Sequence, residues 1–317
     1  MHPNKKRTAL GVARLFFLFI FTSLSLQAQI QNYSIMPNSQ KIGKFMSINI
    51  LDSKELKFEQ LNDIKITEIS ALAFNDGMLY ALSDKEYLYH FDLDIKNNTI
   101  KSLELKKAYT LKNKKNKKLK KEKRDAEGLV FVDNSLLISF ETQPRVELFS
   151  LEGVKIKDIE IHKDLENIKS YENENKALEA VAYSKKYGVI TAPEIPLKEK
   201  EREYHTLYAK DKTWKFSACG NITALEFINK DELLVLERIY DKKTFEGVVY
   251  LSKVNLNECK DAICSSKLLA TLDSKKGYKI DNFEGLTKVT QNKYLMISDD
   301  NESKFQKTLL VLLEILD

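Results

Sequence analysis

The chain has 317 residues, with 51 Lys and Arg against 46 Asp and Glu, for a formal net charge of +5. Ten glycines, five prolines and 43% hydrophobic residues exclude a collagen-like or low-complexity chain. The length suits one large domain with a sizeable core.

Residues 1–14 are a basic lead, followed by the apolar run LFFLFIFTSLSL and a small-residue LQA that ends at Ala28. This is the pattern of a secretory signal peptide, residues 1–28, and the apolar run is short for a membrane span. The segment carries Lys5, Lys6, Arg7 and Arg14 and no acid, so its removal takes the net charge from +5 to +1. A nearly neutral mature chain with no nucleic-acid motif gives no case for a nucleic-acid partner. Residues 29–317 are expected to form a single monomeric domain, periplasmic or extracellular, without stable membrane insertion.

From residue 70 onward one pattern recurs five times: SALAFNDGMLYALSD from Ser70, EGLVFVDNSLLISFE from Glu127, EAVAYSKKYGVITAPE from Glu179, TALEFINKDELLVLE from Thr223 and EGLTKVTQNKYLMISD from Glu284. Each copy is a strand, a polar turn and a second strand closing on a carboxylate, 14 or 15 residues after its first position. Further strand-like runs follow them at 87–95, 146–152, 247–256 and 308–316. Repeats of this size and content predict an all-β fold, a β-propeller of five or six four-stranded blades. Six is the favoured number, the sixth assembled from residues 34–66 and the C-terminal TLLVLLEIL so that both chain ends close the ring.

Two segments interrupt the strands. KNKKNKKLKKEKR, 112–124, is expected to be a solvated loop, with an anion-docking patch as the alternative. KDLENIKSYENENKALEA, 163–180, holds a helical turn or two. Of the three cysteines, Cys259 and Cys264 are spaced for a small disulfide loop in an exported protein, leaving Cys219 free. No second cysteine pair or nearby His supports zinc.

In a radial array, equivalent repeat positions lie at one height around the axis. The hairpin ends Asp84, Glu127, Glu141, Glu179, Glu194, Glu237, Glu284 and Asp299 are therefore expected on one rim, with Asp125 beside them. Such crowding demands compensation by water, Arg or metal. Carboxylates without His or Cys select hard cations, Ca²⁺ before Mg²⁺, with Asn282 and Asn301 available to complete the shell. Arg145 and Arg238 stand next to rim acids, where a guanidinium holds an anion bidentately or neutralises its neighbours.

The segments DAEGL, ALEAVAY, LVLERIY, NFEGLT and SDDN, in this order over residues 60–315, resemble the family described as esterase-like activity of phytase. The resemblance implies a propeller with clustered acids that acts on phosphate or other esters, with Ca²⁺ plausible. It carries over Asp125, Glu127, Glu141, Glu179, Glu194, Glu237, Glu284, Asp299 and Asn301 as metal ligands. It also carries over Arg238, which with Arg145 would bind the substrate. Glu127, Glu179, Glu284 and Arg238 form the candidate catalytic set. Ser70 and Thr223 depart from the pattern by replacing Glu at the repeat start. No Gly-x-Ser-x-Gly elbow is present, which leaves a serine-esterase mechanism without support. The expected function is metal-assisted hydrolysis of a small anionic ester. The alternatives are a Ca²⁺- or ligand-binding propeller without turnover and a sugar-lactonase-like hydrolase.

Overall fold

The computed structural model describes residues 26–40, 43–58, 64–173, 176–241, 243–244 and 246–316. Residues 1–25 of the expected leader lie outside them. The N-terminal strands are β1 (Leu26–Gln27), β2 (Gln29–Asn32), β3 (Lys44–Phe45) and β4 (Ile48–Lys57). Blade I contains β5 (Ile69–Asn75), β6 (Met78–Ser83), β7 (Tyr87–Lys96) and β8 (Thr99–Thr110). Blade II contains β9 (Ala126–Val132), β10 (Ser135–Phe140), β11 (Arg145–Ser150) and β12 (Lys155–Ile159). Blade III contains β13 (Leu178–Ser184), β14 (Gly188–Pro193), β15 (Tyr204–Ala209) and β16 (Lys212–Ser217). Blade IV contains β17 (Asn221–Phe227), β18 (Glu232–Asp241), β19 (Glu246–Lys260) and β20 (Ile263–Asp273). Blade V combines β21 (Asn282–Lys288), β22 (Lys293–Asp299) and β23 (Thr308–Ile315) with β4.

Within blades I–IV the strands pair antiparallel in chain order from the innermost outward, and in blade V the order is β21, β22, β23 and then β4. The inner strands close a ring: β5 packs on β9, β9 on β13, β13 on β17, β17 on β21, and β21 back on β5. Among the described residues the ring thus has five blades. The segment expected to seed a sixth supplies the outer strand of the fifth, because β4 pairs with β23 from Thr308↔Leu56 to Ile315↔Ile48. Both chain ends do close the ring, but inside one sheet. β1, at the end of the expected leader, pairs with the outer edge of blade I through Leu26↔Leu105 and Gln27↔Glu104.

The sequence shows why middle strands read as unbroken apolar runs. Each blade is covered on both faces, so both sides of a strand are buried. In β18, Leu234 and Leu236 enter the core shared with blade V, while Leu233 and Val235 enter that shared with blade III. In β22, Tyr294 and Met296 face blade IV, and Leu295 and Ile297 face blade I. The five buried clusters correspond to the five blade interfaces.

The inner hairpins turn as the sequence predicts. Asp76 and Gly77, and Asp133 and Asn134, occupy two-residue loops with positive φ at both positions, the geometry that matches strand twist. The 163–180 segment contains single 3-10 turns at Lys163–Leu165 and Ile168–Ser170. Cys259 and Cys264 form a disulfide across the β19–β20 hairpin, and Cys219 is free. The Lys-rich loop is folded rather than loose: Lys112 bridges to Lys118 and Val154, and Leu119 is buried.

Candidate functional site

Every inner hairpin carries the same irregularity at the same place. The register of β5 with β6 slips between Ile69 and Ala71, and the equivalent slips skip Glu127, Glu179, Thr223 and Glu284. Each skipped residue is a β-bulge, which turns one extra side chain out of the ladder. The five bulged residues, Ser70, Glu127, Glu179, Thr223 and Glu284, form a layer on the inner strands; Glu127, Thr223 and Glu284 line a narrow axial cavity. That cavity offers about 10 Å³ to water centres, room for one water.

The residue after each bulge is Gly or Ala because the neighbouring inner strand is close. A Cβ on Gly128 would meet Ser139 Oγ and stand 2.9 Å from Glu179 O of blade III. A Cβ on Gly285 would stand 2.5 Å from Ile297 Cγ2 of its own blade and 3.2 Å from Leu72 Cγ on the inner strand of blade I. Where the bulge is not acidic, its hydroxyl joins two blades: Ser70 Oγ donates to Ala126 O at 2.8 Å, and Thr223 Oγ1 to Phe283 O at 3.2 Å.

A second layer lies where the return strands end. Register places Asp84, Glu141, Glu194, Arg238 and Asp299 at equivalent positions, opposite Glu68, Asp125, Ala177, Asn221 and Asn282. Blade IV therefore contributes a cation where the other four contribute an acid. Glu237, expected on the rim, falls one register position short and opposite Ile222. Its side chain is fully buried, with Oε1 accepting the N–H groups of Cys219 at 2.8 Å and Gly220 at 3.1 Å; His205 Nε2, which bonds Gly220 O at 2.6 Å, lies 3.3 Å from the same oxygen. Alternation of side chains along a strand is the reason: a shift of one residue changes the face.

The acids meet most closely between blades II and III. Carboxylate oxygens of Asp125, Glu127 and Glu141 lie within 4.8 Å of one another, and so do those of Glu141, Glu179 and Glu194. Two oxygens bound to one Ca²⁺ at ~2.4 Å are separated by up to about 4.8 Å, so the donor set fits a hard divalent cation. Glu141 is oriented by the Ala177 N–H at 3.0 Å, and Asp125 by the Thr142 hydroxyl. Glu194 Oε1 accepts from Lys176 Nζ and from Asn221 Nδ2, both at 2.7 Å. Among the described residues, the carboxylates of Glu127 and Glu179 have no hydrogen bond or ion pair.

Burial and crowding weaken the acids. Burial, then Glu179 and Glu141, hold Glu127 well above the usual carboxylate range. Burial, then Glu194 and Glu141, do the same for Glu179. Glu141 is pushed up to about 8 by burial and Asp125, against the Ala177 N–H. Asp299 rises to about 9 through burial and Glu284, and Asp84 to about 7 through burial and Glu68. For Arg238 burial acts downward, but Glu284, Glu194 and Glu179 outweigh it and raise its pKa. Its Nη2 donates to Glu284 Oε1 at 2.7 Å, while Nε is buried without a partner.

Two expected residues play other parts. All three nitrogens of Arg145 are engaged: Nε by Glu147, Nη1 by Thr142 O and Gln143 O, Nη2 by Lys123 O. The guanidinium also stacks 3.8 Å above Phe140. Arg145 braces the loops of blade II. Asn301 is exposed, and its contribution is a backbone N–H to Asp299 Oδ1 at 2.9 Å. Asn282 donates to Glu284 Oε1 at 2.8 Å and keeps a buried, unpartnered Oδ1. Sequence reasoning missed Glu68, which stands two residues before Ser70 as Asp125 does before Glu127, and Lys176.

A family model for Phytase-like proteins, esterase-like activity of phytase, matches residues 64–302. No curated protein matches the chain. Among solved structures, PQQ-bound aldose sugar dehydrogenase from Streptomyces coelicolor aligns at 9% identity and TM-score 0.46, over 88% of this chain and 99% of that one. The mitotic checkpoint complex aligns at 10% identity and TM-score 0.39, over 84% and 69%. The Dos1 propeller aligns at 9% and 0.36, over 83% and 73%.

Proposed function

This chain belongs to the phytase-like family, esterase-like activity of phytase, and we propose that it is an exported, metal-assisted hydrolase of phosphate or other esters. One observation carries this reading. Two carboxylates without hydrogen bond or ion pair among the described residues, those of Glu127 and Glu179, share a mouth with a guanidinium whose Nε is buried and unpartnered.

Asp125, Glu127, Glu141, Glu179 and Glu194 would hold a divalent cation, Ca²⁺ before Mg²⁺. Such a cation, when bound, polarises an ester oxygen. Arg238 would bind the anionic group through the nitrogens that Glu284 leaves open, and Glu284 with Asn282 would fix its direction. Glu179 would take a proton from the attacking water as the oxygen bonds to phosphorus, and that proton would pass to the leaving oxygen as its bond to phosphorus breaks and the alcohol departs. With room for one water in the axial cavity, the ester would sit in the open mouth above it. Export is supported by the Cys259–Cys264 disulfide, which suits an oxidising compartment.

A second reading, a Ca²⁺- or ligand-binding propeller without turnover, is favoured by the ion pair that already occupies Arg238. Phosphomonoesters, phosphodiesters, carboxyl esters and lactones, assayed with Ca²⁺ and with chelator, separate the two. Ca²⁺-dependent turnover that falls about 100-fold in Arg238→Met and is abolished in Glu127→Gln supports the hydrolase. Ca²⁺ binding without turnover on any of them leaves the binding module, and lactone hydrolysis alone selects the sugar-lactonase-like alternative.

A further inference from the structure

The five convergent acids do not form one group. Asp125, Glu127 and Glu141 gather within 4.8 Å, and Glu141, Glu179 and Glu194 gather within 4.8 Å, with Glu141 common to both. We infer that the mouth takes two divalent cations bridged by Glu141, one cradled by blade II and one held between blades II and III. This rests on the proposal that the mouth binds a hard cation at all, and goes beyond it in number, ligands and order of filling.

Three observations support it. Glu179 is 5% exposed and, among the described residues, its carboxylate has neither hydrogen bond nor ion pair, although it lies among acids. A buried charge in that state needs a cation or stays protonated. Second, five carboxylates converge in the two groups, and Lys176 at Glu194 is the single ammonium ion-paired with them among the described residues, so each group holds more acids than bonded cations. Third, a carboxylate has two oxygens and several acceptor directions, so Glu141 can serve both groups while keeping the Ala177 N–H.

The two positions are not equivalent. Lys176 Nζ lies 2.7 Å from Glu194 Oε1, so a cation in the Glu141–Glu179–Glu194 group meets a positive neighbour. The Asp125–Glu127–Glu141 group has the Thr142 hydroxyl as its only bonded side-chain partner among the described residues. The blade II position therefore fills first.

The test is stoichiometry. Metal-depleted full-length protein is titrated with CaCl₂ by calorimetry, and bound Ca²⁺ is counted by equilibrium dialysis. Two ions per wild-type chain are expected, one in Glu179→Gln, one in Glu127→Gln, and at least ~10-fold weaker binding at both positions in Glu141→Gln. Lys176→Met keeps every carboxylate and is expected to tighten the second, weaker event. One ion per wild-type chain overturns the pair while leaving a metal-binding mouth intact. Two ions retained by Glu179→Gln or Glu127→Gln overturns the assigned ligands, and no bound ion removes the metal proposal as well. Thermal unfolding of each variant in chelator verifies that it is folded.

Discussion

Arg238 of blade IV donates from Nη2 to Glu284 Oε1 of blade V at 2.7 Å. The guanidinium thus occupies the position that carries an acid in the other four blades, and it is held by the bulged acid of its neighbour. One cation inside a ring of acids breaks the near-symmetry of the mouth. It leaves the unpartnered carboxylates Glu127 and Glu179 on one side and a neutralised Glu284 on the other.

Removing the guanidinium exposes that dependence. Arg238→Met leaves Glu284 buried beside like charges and is expected to destabilise the protein by about 3 kcal/mol. The double variant Arg238→Met/Glu284→Gln removes both charges and should recover a measurable part of the loss. Urea denaturation of wild type, both single variants and the double variant gives the coupling. Strictly additive effects would show that the ion pair contributes nothing of its own.

Ca²⁺ should stabilise the fold, because a ligand that binds the native state alone adds RT ln(1 + [L]/Kd). That is about 2.7 kcal/mol at a hundredfold excess over Kd. For a chain of this size the melting temperature is expected to rise by roughly 4 °C, and chelator should reverse it. Glu127→Gln and Glu179→Gln should each blunt the rise. An unchanged melting temperature at millimolar Ca²⁺ would contradict a cation site in the mouth.

Much of this arrangement was legible in the sequence, for a physical reason. A propeller repeats one hairpin, so its bulge recurs at fixed spacing. SAL, EGL, EAV, TAL and EGL record both the axial residue and the small residue needed where inner strands approach. Blade number was less legible because β4 carries no such hairpin. Only pairing shows that Ile48–Lys57 completes blade V instead of starting a blade of its own. Glu237 was misplaced because the sequence gives a start-to-acid count, not a register, and one residue separates the mouth from the blade interior. The bracing by Arg145 was not legible because, apart from Glu147, its partners are carbonyls of Thr142, Gln143 and Lys123, which no side-chain pattern reveals.

The same small-residue rule predicts a packing failure. Gly128→Val would press a branched side chain against Ser139 and the Glu179 carbonyl of the next blade. The expected cost is about 3 kcal/mol, with Glu127 and Glu179 forced apart. Leu236→Ala, buried in the blade IV–V core, should cost a similar 2–5 kcal/mol by leaving a cavity. Only Gly128→Val should also weaken Ca²⁺ binding. Equal loss of Ca²⁺ affinity in both would trace the effect to global stability instead.

At the opposite end of the ring, Glu226 gives a pH signature separate from the mouth. Its oxygens accept the N–H groups of Phe227 at 3.0 Å and Lys288 at 3.1 Å, yet burial outweighs these and pushes its pKa to about 7. The ordinary value, 4.5, applies to the unfolded chain, so between these pH values the unfolded state loses its proton while the folded state keeps it. Stability from this group is full below about pH 4.5, falls as pH rises to about 7 and is flat above. Discounted for the part of the side chain that solvent reaches, the loss is about 2 kcal/mol. Glu226→Gln cannot ionise, so its stability relative to wild type should improve by that amount between pH 4.5 and 7.5 in denaturation curves recorded in chelator. Parallel curves across that range would show that Glu226 titrates alike in the folded and unfolded chain.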